Sequence, residues 1–204
     1  IVGCTIQHSH DAPESANIRI DGQSTKRPFT DERRHGNVTI ADNVLSDVQV
    51  NVVLSRVRAA TVTGNTMWKG YTSNLVVDEC RSVVVTGNVF DRNPRYHYGD
   101  GATAKLGLYF VDSTDCTISG NQLCGTVDGE AAMVVRRCNR FNITACSIVD
   151  YGRCGLLLDD VSNSRVSDCL IRDDREGADG VSIWVEEDNN VMISDCMLSH
   201  DVNE

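Results

Sequence analysis

The sequence predicts an all-β chain, a right-handed parallel β-helix: a solenoid of about eight stacked coils with three short strands per coil. Three observations predict it. A turn dipeptide recurs at solenoid spacing, apolar residues stand at fixed offsets from each turn, and asparagines occupy successive turns.

The turn dipeptides are Gly3-Cys4, Asp42-Asn43, Gly64-Asn65, Gly87-Asn88, Gly120-Asn121, Ala145-Cys146, Asp168-Cys169 and Asp195-Cys196. From Asn43 onward their second members lie 22, 23, 33, 25, 23 and 27 residues apart. Intervals of 20 to 50 residues are the mark of a repeat architecture.

Three before each turn residue stands a β-branched apolar side chain (Ile40, Val62, Val85, Ile118, Ile143, Val166, Ile193), and two after it another apolar one (Leu45, Met67, Phe90, Leu123, Ile148, Ile171, Leu198). Thirteen and eleven before stand pairs such as Leu75/Val77, Leu108/Phe110 and Leu156/Leu158. Alternation with a period of two means strands with one buried face. Each coil is thus expected to hold a first, a second and a third strand. Equivalent side chains of successive coils then stand about 4.8 Å apart in ladders.

Asn43, Asn65, Asn88 and Asn121 are placed to pass amide hydrogen bonds from coil to coil. Cys146, Cys169 and Cys196 then take over the column, while Cys80 and Cys138 share a second one and Cys116 falls on an inward position. The nine cysteines form no C-x-x-C pair and read as small packing residues rather than a metal centre. His8 and His10 alternate, but no third ligand accompanies them, so they read as surface histidines.

Three stretches exceed the minimal coil: residues 21–36, 91–104 and 172–179. Insertions in a solenoid protrude on one face and often wall a groove. The formal charge of −10 excludes a basic nucleic-acid footprint. It also opposes unassisted binding of a polyanionic sugar, unless a divalent cation intervenes. There is no apolar run long enough to insert in a membrane. Residues 1–204 read as one β-helix domain taken from a longer protein, since Ile1 to Ile6 are already repeat sequence.

The run Val83-Val84-Val85-Thr86-Gly87-Asn88-Val89-Phe90, echoed at Thr61 to Met67 and Cys116 to Leu123, resembles the parallel β-helix repeat of pectin-lyase-like proteins. The resemblance implies a secreted or cell-surface setting and a substrate groove over the outer face of the first strands. The paired-aspartate, Gly-His-Gly and Arg-x-Lys signatures of polygalacturonases and the Asp-Pro-His-Asp run of alginate epimerases are absent.

The expectation is a carbohydrate-active protein that binds an extended polysaccharide and, in its catalytic form, cleaves it as a hydrolase or lyase. The alternative is a non-catalytic surface, adhesion or carbohydrate-binding module. Twelve before the turn, Tyr109 and Trp184 point outward and offer stacking platforms for sugar rings. An overhanging loop could equally cover that stripe. Ten before, Asp159 and Glu186 stand one coil apart, near a retaining-glycosidase separation, with Arg136 on the preceding coil to tune them. The loop carrying Tyr96, His97 and Tyr98, with Lys105 beyond it, is the expected wall and a source of lyase bases. No cofactor is required, though Asp78, Asp112, Asp159 and Asp160 are candidate calcium ligands.

Overall fold

The computed structural model describes residues 1–7, 11–22, 34–91, 106–200 and 202–203. Among them every regular element is a β-strand, and every pairing between strands is parallel. No helix is long and apolar enough to cross a membrane.

The first strands are Ala16–Asp21, Val48–Ser55, Gly70–Asp78, Leu106–Val111 and Met133–Asn139. The second are His35–Ala41, Val57–Thr63, Arg81–Thr86, Thr117–Ser119 and Asn142–Thr144. In Cys154–Ser167 and Val181–Ser194 the two run together as one strand, which joins the two ladders into a single 13-stranded sheet. The third strands, from Thr5–Gln7 to Met197–Leu198, form a separate 8-stranded sheet. Its first rung is preceded only by a bridge of Val2 to Ala41, so complete coils number slightly fewer than the eight expected.

The register is that of the sequence repeat. Val52, Leu75, Leu108, Met133, Leu156 and Ile183 are successive partners, and all are buried. With the inward residues of the other two ladders they make one continuous core, in which Phe110 meets Phe141 edge to face at 5.6 Å. Ile6, Ile193 and Leu198, at the ends of the stack, are only partly buried.

Corners are made by single residues with positive φ. They recur one before the turn residue (Asp42, Gly64, Gly87, Gly120, Ala145, Asp168) and again nine before it (Arg56, Glu79, Asp112, Arg137, Asp160, Glu187). The position nine before is therefore the bend between first and second strands, where side chains splay from the face. Aspartate and glycine tolerate this conformation; the arginines and glutamates in the second column hold it because pairing on both sides fixes the bend.

Two amide ladders run through the stack. In the expected one, Asn43, Asn65 and Asn88 each donate Nδ2–H to Oδ1 of the next asparagine at 2.9 Å, ending at Asn121. A second, which the turn repeat gave no reason to seek, joins Asn17 to Asn51 and Asn51 to Asn74 at 2.8 Å under the first strands. It stops where Gly107 takes the column, since a Cβ there would lie 2.6 Å from the Ala132 carbonyl oxygen.

The cysteines are free and do more than fill space. Cys80 Sγ accepts from Val57 N at 3.3 Å on the preceding rung and donates to Asp78 O, while Cys80 N donates to Ser113 Oγ on the next. Cys146 Sγ likewise lies 3.9 Å from Asn121 Nδ2 and continues the column as a weak acceptor. Burial pushes the thiols of Cys116 and Cys138 up to about 12 and that of Cys80 to about 11.

Candidate functional site

The outward residues of the first strands form one straight column: Val53, Val76, Tyr109, Val134, Leu157, Trp184. Its middle is roofed. Val134 and Leu157 are buried against Ala131 and Cys154, and Tyr109 packs against the edge of this cluster. The C-terminal end stays open at Trp184, so the cover that the sequence allowed holds for part of the column only.

On the N-terminal side of the roof lies an open groove of about 660 Å³. Val53, Val76 and Val111 make its apolar floor, and Tyr109 closes one end. Gln49 and Thr72, bonded to each other at 2.9 Å, stand on one wall; Asp78, Asp112 and Arg137 stand on the other. The Arg137 fork grips both oxygens of Asp112 at 2.8 Å and holds that carboxyl below its ordinary range. Partial burial, then the nearby charges of Glu79 and Asp112, hold Asp78 above it. Sequence reasoning placed Asp78 and Asp112 only among possible calcium ligands and gave Arg137 no role. The apolar column beside two unlike carboxylates was the available signal.

Beyond the roof lies a smaller cavity of about 210 Å³, walled by Glu130, Arg136, Arg153, Leu157, Trp184 and Glu186. Trp184 is 40% exposed there, the only aromatic among the exposed large apolar residues described. Arg136, Asp159 and Glu186 are successive partners in adjacent rungs, as the repeat required. Arg136 Nε, however, donates to Asp159 Oδ2 at 2.5 Å, and its two terminal nitrogens reach Glu130 at 3.3 and 3.4 Å. Asp159 is thus tied to a guanidinium rather than free beside Glu186. Tyr96, His97, Tyr98 and Lys105 lie outside the described residues, as do His8 and His10.

Among the described residues no three His, Cys, Asp or Glu side chains converge on a point that could hold a metal ion. The candidate calcium ligands are divided: Asp112 belongs to Arg137, Asp159 to Arg136, and Asp78 faces the groove.

No curated protein matches the chain. A family model described as the periplasmic copper-binding protein NosD matches residues 2–190. The described donors do not fit a copper centre. The thiols of Cys80, Cys116, Cys138 and Cys154 are buried and pushed up by burial; Cys146, pulled down by its bond to the Cys169 thiol, is buried with no third donor converging on it; and of the two described imidazoles His35 is exposed at one end while His200 bonds Ser199 at the other. The match covers nearly the whole solenoid, and on that ground the chain belongs to the NosD family of right-handed parallel β-helices.

Proposed function

We propose that the chain binds an extended polysaccharide along the outer face of its first strands. The observation that carries this reading is the placement of Tyr109 and Trp184 in one outward column, three rungs apart, each beside an open cavity. Three rungs span roughly 14 Å at the parallel-strand spacing, a reach that only a chain of several sugars covers. Flat apolar sugar faces stack on aromatic rings, and the rims supply the hydroxyl partners: Gln49, Thr72 and Asp78 in the groove, Glu130, Arg153 and Glu186 in the cavity.

Binding without cleavage is the better reading of the two weighed. The suggested acid/base pair has the spacing of any two carboxylates in a ladder, and one member is held by Arg136. Among the described residues the copper of the family description finds no donor set, and nothing in the proposal depends on it.

Oligosaccharides of increasing length, titrated against the intact chain while tryptophan fluorescence is followed, test the reading. Affinity should climb with length and level off once both aromatics are spanned. Tyr109→Ala and Trp184→Ala should each weaken the long ligand by roughly three- to tenfold. Length-independent binding, or binding indifferent to both substitutions, would overturn it. New reducing ends that vanish in Asp159→Ala would restore the catalytic alternative.

A further inference from the structure

We infer, resting on that reading, that the saccharide taken by the groove carries amines rather than carboxylates, and that Asp78 receives the ammonium group. Carboxylates on a solenoid face do not make a site by themselves. Here one of them borders an apolar-floored groove that an aromatic ring closes.

The charges beside the groove decide the class. From Arg56 onward, the positions ten and nine before each turn hold three guanidiniums, and each is already engaged. Arg56 pairs with Asp21 at 2.7 Å and Glu79 at 3.4 Å, Arg136 with Asp159 and Glu130, and Arg137 with both oxygens of Asp112. Among the described residues no ion pair engages Asp78, Asp160, Glu186 or Glu187, which occupy the same two columns. Arg19, which also lines the groove in line with Val53, donates to the Glu14 carbonyl at 2.7 Å. A uronate carboxylate set beside Asp78 would displace an existing pair or face like charge, and either costs affinity.

An ammonium meets the opposite situation. Asp78 lies between the floor residues Val76 and Val111 and the Asp112–Arg137 pair, partly withdrawn from water. Its carboxyl is faced by Glu79 and Asp112, which oppose its ionisation, and by Arg56 and Arg137, which favour it. A cation seated against it joins the second group, so binding and full ionisation reinforce each other. In a site of reduced dielectric the resulting charge-assisted hydrogen bond is stronger than one to a neutral hydroxyl.

The experiment compares three oligosaccharides of equal length by calorimetry: glucosamine oligomers, their N-acetylated counterparts, and oligogalacturonate. The amine form should bind roughly tenfold more tightly than the acetylated one, with the uronate weakest. Asp78→Asn should remove the advantage of the amine while leaving the acetylated ligand as it was. Asp195→Asn, exposed at the turn corner between second and third strands, is the control for bulk attraction and should change nothing. A uronate that binds as well as the amine, an amine preference that survives Asp78→Asn, or one that falls equally in Asp195→Asn overturns this inference while leaving the saccharide groove standing. Failure of all three ligands to bind overturns the groove reading as well.

Discussion

Asn88 Oδ1 accepts two hydrogen bonds from Asn65, one from Nδ2 at 2.9 Å and one from the backbone nitrogen at 3.0 Å. Asn88 meanwhile donates Nδ2–H to Asn121 and to the carbonyl of Val62. One side chain thus satisfies groups on the rungs before and after its own, all of them buried.

Asn88→Ala should therefore cost about 3 kcal/mol or more, since several buried donors and acceptors lose partners together. Asn88→Cys should cost less, because the same column already runs on thiols from Cys146 onward. Urea unfolding measures both: the midpoint should fall while the slope stays constant. Equal midpoints for the two variants would show that the thiol does not stand in for the amide.

A glycine prediction follows from Tyr151, which is fully buried with its hydroxyl on Ser182 Oγ at 2.8 Å. A Cβ at Gly155 would lie 2.5 Å from Ile171 Cγ2, 2.7 Å from Ser182 O and 3.1 Å from Tyr151 Cε1. Gly155→Ala should destabilise by about 2–3 kcal/mol through overpacking, and melting temperature reads the loss. Gly125→Ala, with open space around its Cβ but a φ of +72°, should cost only about 1 kcal/mol.

Thiol chemistry separates exposed from buried cysteines. With burial holding Cys80, Cys116, Cys138 and Cys154 at about 11 to 12, alkylation of the native protein at pH 8 should mark Cys4 first and spare those four. Mass spectrometry of the labelled peptides, with and without denaturant, checks the order.

Acid should weaken the fold in a defined direction. Arg137 depresses Asp112, Arg140 and then Arg81 depress Asp115, and Arg175 depresses Asp173. A carboxyl whose folded value is depressed contributes stability that is present above its unfolded value and lost as pH falls through the folded one. Melting temperature should thus decline below about pH 4. Asp78 has the opposite sign. Its raised folded value makes ionisation a cost, full above that value and absent below the unfolded one, so Asp78→Asn should stabilise the free protein at pH 7 and make no difference at pH 3.

The fold was readable in the sequence because a solenoid repeats its instructions. Ile118 says little alone, but Ile118 between Val85 and Ile143 at matching offsets defines a rung. The asparagine column was readable for the same reason. Asn17, Asn51 and Asn74 were not, because that ladder spans three coils and ends at Gly107. The site was readable only in outline. Periodicity aims Tyr109 and Trp184 outward and puts Arg136, Asp159 and Glu186 in line, yet it is silent on which side chains pair. Ala131 in the roof belongs to an irregular segment between strands, where no repeat constrains the chain; the Arg136–Asp159 tie and the grip of Arg137 on Asp112 join residues that the repeat sets on adjacent rungs, and side-chain geometry alone selects them as pairs.

The fused strands Cys154–Ser167 and Val181–Ser194 stay in register through the corner, from Cys154 opposite Val181 to Ser167 opposite Ser194. At the next corner the same windings carry Cys169 and Cys196 where earlier ones carry asparagine. Evolution can therefore rewrite corner residues near the C-terminal end with little penalty, whereas the asparagine-lined windings tolerate few spellings. Variation among descendants of this chain should pool in its later coils.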